Sequence, residues 1–309
     1  GKRGVSVGVD YVTFNVILDD IVYPDGQTRM GVLGGGGPQT AFGMRLWAPR
    51  VGLDAGVGRD LPPEVRAWLS ACDVDASGLH VSELATPRAW QTLEEDGRRV
   101  QVWRVPGQVL GVQLRRSVER LPQAYRRAKG FHLGVHPQDC ESALIADLQA
   151  LGAAVSVEVF RPADHVMSDA QVRALVSGPD LFSPNLEEAV SMFGQRPPEA
   201  LLQALMDAGA RRAALRMGAE GSLLAQAGSP ERVHIPAAAA RVVDPVGAGN
   251  AFCGGLLVGW CETGDWTLAG KYGAVAASFV VEQVGVPVVT PAVQAEAQRR
   301  LAELRERRL

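Results

Sequence analysis

A glycine-rich turn at residues 244–250 has the clearest chemical potential in the sequence. It reads Asp-Pro-Val-Gly-Ala-Gly-Asn and leads into an apolar segment at 251–260, which predicts a buried helix. Gly247 and Gly249 have no Cβ, so backbone N–H groups can approach a ligand closely. The first N–H groups of a helix are unpaired and carry partial positive charge, which favours a phosphate. A plain turn capped by Asn250 fits the pattern equally well. The predicted anion hole comprises Gly247, Ala248, Gly249 and Asn250.

Two further patterns place polar groups after predicted strands. Asn185 and Glu188 open a helix about one turn apart, so both could face one site, and their oxygens suit Mg²⁺. They could instead form a capping box at that helix start. Arg216 begins a turn that contains Gly218 and Gly221. Its cation could meet a phosphate or could simply be solvated.

The N-terminal region supplies candidate contacts for a hydroxylated ligand. A predicted strand at 11–18 runs into Asp19 and Asp20, and open α/β sheets bind ligands at the carboxyl ends of their strands. A solvated strand end is the alternative. Four glycines at 34–37 precede Gln39 and a predicted helix at 38–47, so the backbone could approach a polyol.

These motifs resemble, in order, those of the PfkB, or ribokinase-like, family of carbohydrate kinases. The turn at 244–255 matches the family signature Asp-Thr-x-Gly-Ala-Gly-Asp-x-Phe-x-x-Gly, and the segments at 34–41, 185–188 and 216–221 match three further motifs. The sequence departs from the family pattern at Asn15, Gln39, Pro245 and Asn250. The last departure matters most, because the family has its catalytic Asp at this position.

The resemblance implies a role for each matching residue. Substrate binding is expected at Asp20, Gly35 and Gln39. Nucleotide and Mg²⁺ binding is expected at Asn185, Glu188, Arg216, Gly218 and Gly221, with Glu188 as the metal ligand. The catalytic set would be Gly247, Ala248, Gly249 and Asn250. The implied cofactors are ATP and Mg²⁺, with a monovalent cation such as K⁺ as a further candidate.

The elements that must position these residues alternate along the chain. Helices predicted near 118–128, 140–151, 169–177, 186–193 and 199–208 alternate with strands, which indicates a parallel sheet covered by helices. We therefore expect one α/β domain over 1–309, a three-layer α/β/α sandwich with a mostly parallel central sheet. The segments 21–33 and 89–104, the latter with an Asp-Gly hairpin turn, would form a small β lid. In the family such a lid often serves as a dimer surface.

Composition limits the classes of partner. The formal net charge of -3 offers no basic surface for nucleic acid. No apolar run reaches the length of a membrane span. The four cysteines are scattered, which is typical of buried thiols in a reducing compartment, so the cytoplasm or an organelle interior is expected rather than secretion.

Two functions remain open. One is an ATP-dependent phosphotransferase acting on a hydroxyl of a sugar or nucleoside, slowed because Asn250 lacks a basic carboxylate. The other is a PfkB-like pseudoenzyme that acts as a ligand-binding or structural subunit. Asn250 could also be an introduced replacement for Asp. If only the base is missing, Asn250→Asp should raise phosphorylation by on the order of 10²–10⁴-fold.

Overall fold

The structure is a computed structural model that describes residues 8–96 and 99–309. Gly97, the second residue of the predicted hairpin turn, lies outside these ranges. The helices are α1 Gly36–Arg45, α2 Pro63–Ala71, α3 Gly107–Gln113, α4 Ser142–Ala150, α5 Asp169–Val176, α6 Leu186–Phe193, α7 Pro198–Asp207, α8 Ala248–Thr263, α9 Trp266–Val280 and α10 Pro291–Glu303. The strands are β1 Tyr11–Phe14, β2 Ile17–Val22, β3 Thr28–Gly34, β4 Val51–Gly58, β5 Val74–Asp75, β6 Leu79–Ser82, β7 Arg88–Leu93, β8 Arg99–Trp103, β9 Gly130–Val135, β10 Ala154–Val159, β11 Leu181–Phe182, β12 Arg212–Arg216, β13 Ser222–Gln226, β14 Arg232–Ile235 and β15 Arg307–Arg308.

The main sheet carries the residues that the motifs singled out. Its strand order is β15-β14-β13-β12-β11-β10-β9-β1-β4-β5, with β6 also paired to β4. From β12 through β11, β10, β9 and β1 to β4 every pairing is parallel, whereas β13, β14 and β15 are antiparallel. The carboxyl ends of the parallel strands therefore meet at one edge of the sheet.

Helices cover both faces of this sheet, so the molecule has the predicted three layers. One core contains apolar side chains of α1, α2, α8, α9 and α10, and the other contains those of α4, α5, α6 and α7. The helix α8 is buried on almost all sides over 251–259, as its uninterrupted apolar sequence predicts.

A second sheet of four strands, β3-β2-β7-β8, stands apart from the main one. We call it the lid sheet. It combines the two segments predicted for it, 21–33 and 89–104. Its pairings are antiparallel except for the parallel pair β2 and β7.

Two predicted elements differ from the structure. The single strand expected at 11–18 is two strands in two sheets, because Asn15 has a φ of 71° and turns the chain between them. Asn tolerates this left-handed conformation better than most residues. The helix expected at 118–128 is reduced to a 3-10 turn at Val118–Arg120, since Pro122 interrupts the segment.

Candidate active site

The predicted anion hole lies at the start of α8. Gly247 is the N-cap residue and has a φ of 86°, a conformation that favours glycine. Asn250 therefore sits inside the first helical turn, and the alternative in which Asn250 caps the helix is wrong. The Arg216 side chain lies directly against this turn. It is so close that a Cβ on Gly249 would overlap Arg216 Nη1. A guanidinium thus adds its charge to the positive end of the helix.

Neighbouring strand ends bring Arg216 to this position. Residues Asn185 and Arg216, just beyond β11 and at the end of β12, pair in a parallel bridge, and the Arg216 N–H donates to Pro184 O at 2.9 Å. The Arg216 side chain is only 11% exposed, so the prediction of a merely solvated cation is wrong. Its Nη2 donates to the backbone oxygen of Ser183 at 2.8 Å.

Two buried carboxylates compensate the charge of Arg216. Its Nη2 lies 3.1 Å from Glu158 Oε2 and 3.5 Å from Glu188 Oε2. Burial opposes ionisation of Glu158, yet the Arg216 charge and hydrogen bonds from His132 and Asn250 hold its pKa at about 2. Glu158 therefore remains negatively charged at neutral pH.

The Asn185–Glu188 pair forms the capping box that was the alternative to a metal site. Asn185 Oδ1 accepts from the Glu188 N–H at 2.8 Å, and Glu188 Oε2 accepts from the Asn185 N–H at 2.7 Å. The pair also faces the site, since Glu188 Oε2 lies near Arg216. Burial raises the pKa of Glu188 to about 7 although Arg216 and the Asn185 N–H oppose the shift. A nearby cation would favour its ionised form.

The glycine loop before α1 closes the other side of the site. Gly35 is the N-cap of α1, and a Cβ on Gly36 would lie 3.0 Å from Asn250 Nδ2. The Gln39 side chain packs against Gly247, and within the part of the chain that the structure describes its buried Oε1 has no hydrogen-bond partner. The loop predicted to hold substrate therefore adjoins the start of α8.

The structure places Asp20 away from this loop and Asp19 beside it. Asp20 is fully buried, and its carboxylate accepts hydrogen bonds from Arg88, Arg104 and the Gly31 N–H, so it is not presented to a ligand. Adjacent strand residues point to opposite faces, and Asp19 projects to the face that meets the glycine loop. A Cβ on Gly34 would overlap Asp19 Oδ2.

The turn with Gly218 and Gly221 links β12 to β13 beside the site. Gly218 has a φ of 59° and open space around it. Gly221 has a φ of 85° and packs against the end of β14, where a Cβ would overlap Ile235 O. Gly218 is thus the one of the two with room for a ligand.

Sequence reasoning missed Glu158 and His132, which lie at the centre of the cluster. Glu158 Oε1 accepts from Asn250 Nδ2 at 2.6 Å and lies 3.0 Å from His132 Nε2. Glu158 could have been found from the sequence, because it is a carboxylate near the end of the apolar strand β10. Asp20 was selected by the same pattern, a carboxylate at the end of a predicted apolar strand.

The arrangement joins the predicted anion hole at the start of α8, a buried guanidinium, two carboxylates and a glycine loop at one edge of a parallel sheet. The family model for pfkB family carbohydrate kinases matches residues 19–292. This chain belongs to the PfkB family of carbohydrate kinases. The predictions of the family, the ribokinase-like fold and the ATP-dependent kinase class are confirmed.

Relatives of this kinase chain include proteins from two archaea. It is 27% identical to a cytidine kinase of Thermococcus kodakarensis over 80% of this chain and 86% of the relative. It is 24% identical to a nucleoside kinase of Methanothermobacter thermautotrophicus over 93% and 92% of the two chains. The crystal structure of Arabidopsis thaliana ribokinase complexed with ribose and ATP superposes with a TM-score of 0.72 at 19% identity, over 96% of this chain and 99% of that one.

The structure also bears on the predictions about membrane spans and cysteines. Among the described residues, no helix is long and apolar enough to cross a membrane. The four cysteines, all within the described ranges, are free thiols.

Proposed function

We propose that this chain transfers the γ-phosphoryl group of ATP to a hydroxyl of a sugar or nucleoside. The observation that carries the proposal is the position of Arg216 against Gly249, where a buried cation joins the start of α8. Preorganised positive groups at the transferring phosphoryl are the main source of catalysis in such reactions.

The residues around that point support a division of roles. The N–H groups at Gly247–Gly249 and the Arg216 guanidinium would bind phosphoryl oxygens, with Gly218 and Gly221 beside them. Gly35, Gln39 and Asp19 would bind the acceptor, and Asp19 replaces Asp20 in this role. Asp19 Oδ1 accepts from Gln91 at 2.9 Å, while its Oδ2 faces Gly34 in the loop. Burial raises the pKa of Asp19, although the hydrogen bond from Gln91 and the charge of Arg99 oppose the shift.

The site fits ATP and Mg²⁺. Among the described residues the buried Arg216 Nε has no hydrogen-bond partner, and burial raises the pKa of Glu188 to about 7, so a bound cation would favour its ionised form. Mg²⁺ held by Glu188, with Asn185 beside it, would neutralise phosphate charge when bound. The chain's own part is to hold Glu188 in place through the capping box and to keep Arg216 at α8.

A nucleoside is the more specific acceptor that we propose. The support is the similarity to a cytidine kinase and to a nucleoside kinase, each over at least four-fifths of this chain. The aromatic Trp103 is 40% exposed on the lid strand β8, and its side chain lies on the same face of the lid sheet as Asp19. An aromatic side chain near the acceptor site could stack on a base.

The direct test measures ADP formation with Mg-ATP and cytidine, ribose or fructose as acceptor. We expect cytidine to be turned over fastest, and Arg216→Met to lower kcat/KM by about 10²-fold or more. Trp68→Phe, which changes a buried aromatic outside the site, is the matched control. Repeating the assay with K⁺ replaced by tetramethylammonium tests the monovalent-cation prediction. No ADP above the background with any acceptor, in protein that binds Mg-ATP, would refute the proposal.

Asn250 favours one alternative, a pseudoenzyme that binds ligand without turnover. Its amide can accept a hydrogen bond from a hydroxyl but cannot take up the proton. Calorimetry distinguishes the two functions, because a pseudoenzyme would bind Mg-ATP or the acceptor with no ADP formed.

The lid sheet also supports the predicted homodimer. Its edge strand β8 carries Val100 and Val102, which are 39% and 51% exposed on one face. Sedimentation velocity of wild type and Val102→Asp tests this proposal. We expect a dimer for the wild type and a monomer for the variant.

A further inference from the structure

The Glu158 carboxylate lies within hydrogen-bond distance of the Asn250 side chain. Its Oε1 is 2.6 Å from Asn250 Nδ2 and 3.0 Å from His132 Nε2, and its Oε2 is 3.1 Å from Arg216 Nη2. The residue is 4% exposed, and it lies at the carboxyl end of β10, directly under the start of α8. Glu188, on α6, and the buried thiol of Cys253, on α8, are the remaining titratable groups that interact with it.

This contact fixes the orientation of the Asn250 amide. An ionised carboxylate only accepts hydrogen bonds, so the amide must turn its NH₂ group toward Glu158. The carbonyl oxygen Oδ1 then points away from Glu158. Within residues 8–96 and 99–309, Oδ1 accepts no hydrogen bond, and it is not among the buried unpaired atoms. Oδ1 is therefore the free acceptor of this side chain, whereas Nδ2 is the atom that lies beside Gly36.

We propose that Glu158 and Asn250 act as a pair, in which Glu158 carries the negative charge and orients Asn250 so that Oδ1 accepts a hydrogen bond from the acceptor hydroxyl. Glu158 is thus a positioning residue that acts through Asn250. This inference rests on the proposed function for the role of Oδ1, whereas the pairing itself does not. It also changes one expectation, because a carboxylate introduced at position 250 would meet the Glu158 carboxylate.

Charge repulsion makes the pairing testable. In Asn250→Asp two carboxylates would lie within hydrogen-bond distance, and two such groups cannot both ionise without cost. In Glu158→Gln the Arg216 charge loses a buried partner. In Asn250→Asp/Glu158→Gln one carboxylate and one amide are again present, with their positions exchanged. Each single variant should therefore be less stable than wild type, and the double variant should recover part of that stability.

Thermal unfolding at pH 7.5 of these variants is the first measurement. We expect each single variant to lower Tm by about 3 °C or more, and the double variant to recover at least half of the summed loss. Asp54→Asn is the matched control, since Asp54 is a buried carboxylate that pairs with His80 at 2.8 Å elsewhere on the sheet. The decrease in Tm caused by Asp54→Asn should add to the decrease caused by Asn250→Asp when the two substitutions are combined. Additive losses for positions 158 and 250 would overturn the pairing.

Kinetics with Mg-ATP and cytidine separate a positioning role from a structural one. We expect Glu158→Gln to lower kcat by about 10-fold or more with less than a threefold change in the KM for ATP, and Asn250→Asp alone to give no gain. The double variant should be faster than either single variant. An Asn250→Asp variant faster than wild type, or a double variant slower than both singles, would overturn the positioning role of Glu158. If the wild type turns over no acceptor, the proposed function and the role of Oδ1 both fail, while the thermal measurements still decide the pairing.

Discussion

Replacing Asp20 with Asn should weaken the lid sheet without touching the candidate site. Four donors converge on this carboxylate: the Gly31 N–H at 2.8 Å, Arg88 Nη2 at 2.7 Å, Arg88 Nε at 2.6 Å and Arg104 Nη1. An Asn side chain keeps one acceptor oxygen, which can serve about half of these donors, and its NH₂ group would face an arginine. The substitution therefore also removes the counter-ion that the two guanidinium groups share.

The magnitude follows from the contacts that are lost. Each hydrogen bond to a charged group contributes about 1.5–3 kcal/mol, and breaking a buried ion pair costs about 3–5 kcal/mol. The two arginine side chains are each 34% exposed, so water replaces part of the loss. We expect the free energy of unfolding to fall by about 3 kcal/mol, which lowers Tm by about 5 °C in a chain of this size.

The effect should depend on pH in a defined direction. Burial would raise the pKa of Asp20, but Arg88, the Gly31 N–H and Arg104 lower it from 3.8 to about 2. A lowered pKa in the folded state stabilises the protein above the unfolded pKa, and this contribution is lost as the pH falls. The difference between wild type and Asp20→Asn should thus be constant from pH 5 to 8 and shrink between pH 4 and 2.

The neighbouring Asp19→Asn is the matched control for thermal unfolding and acceptor binding. It makes the same chemical change one residue away, where the carboxylate accepts from Gln91 and, among the described residues, has no arginine at hydrogen-bond distance. We expect little change in Tm and a loss of affinity for the acceptor. The reasoning is refuted if Asp20→Asn melts within 1 °C of wild type, or if it abolishes acceptor binding while Asp19→Asn leaves binding intact.

Three further predictions concern the nucleotide half of the site. Gly249→Ala should displace Arg216, weaken Mg-ATP binding in calorimetry by about 10-fold and lower Tm, because Glu158 and Glu188 lose contact with their buried counter-ion; unaltered affinity would contradict the contact. Glu188→Gln should weaken Mg²⁺-dependent ATP binding but not Mg²⁺-free binding, and equal losses in both would exclude a metal role. Arg216→Lys should lower kcat, because a Lys cannot contact both carboxylates and the helix start at once; a kcat equal to that of wild type would contradict this.

Local sequence patterns predicted much of the site because they follow from local physics. The turn at Gly247, the capping box at Asn185 and the apolar length of α8 each depend on residues a few positions apart. The order of strands and helices likewise predicted the layers, since parallel strands need helical crossovers. The prediction of a helix at 118–128 was wrong because Pro122 interrupts the segment.

The sequence by itself determined the fold class, the family and the local shape of each motif. Only the tertiary structure decided which carboxylate does what. The left-handed backbone at Asn15 directs β2 out of the main sheet. As a result Asp20 pairs with two arginines, and Asp19 lies beside the glycine loop. Glu158 and Asn250 are 92 positions apart, and they meet because β10 ends beneath the start of α8. No local pattern encodes such a contact, since it arises from the packing of a helix on a sheet that long-range strand pairing assembles.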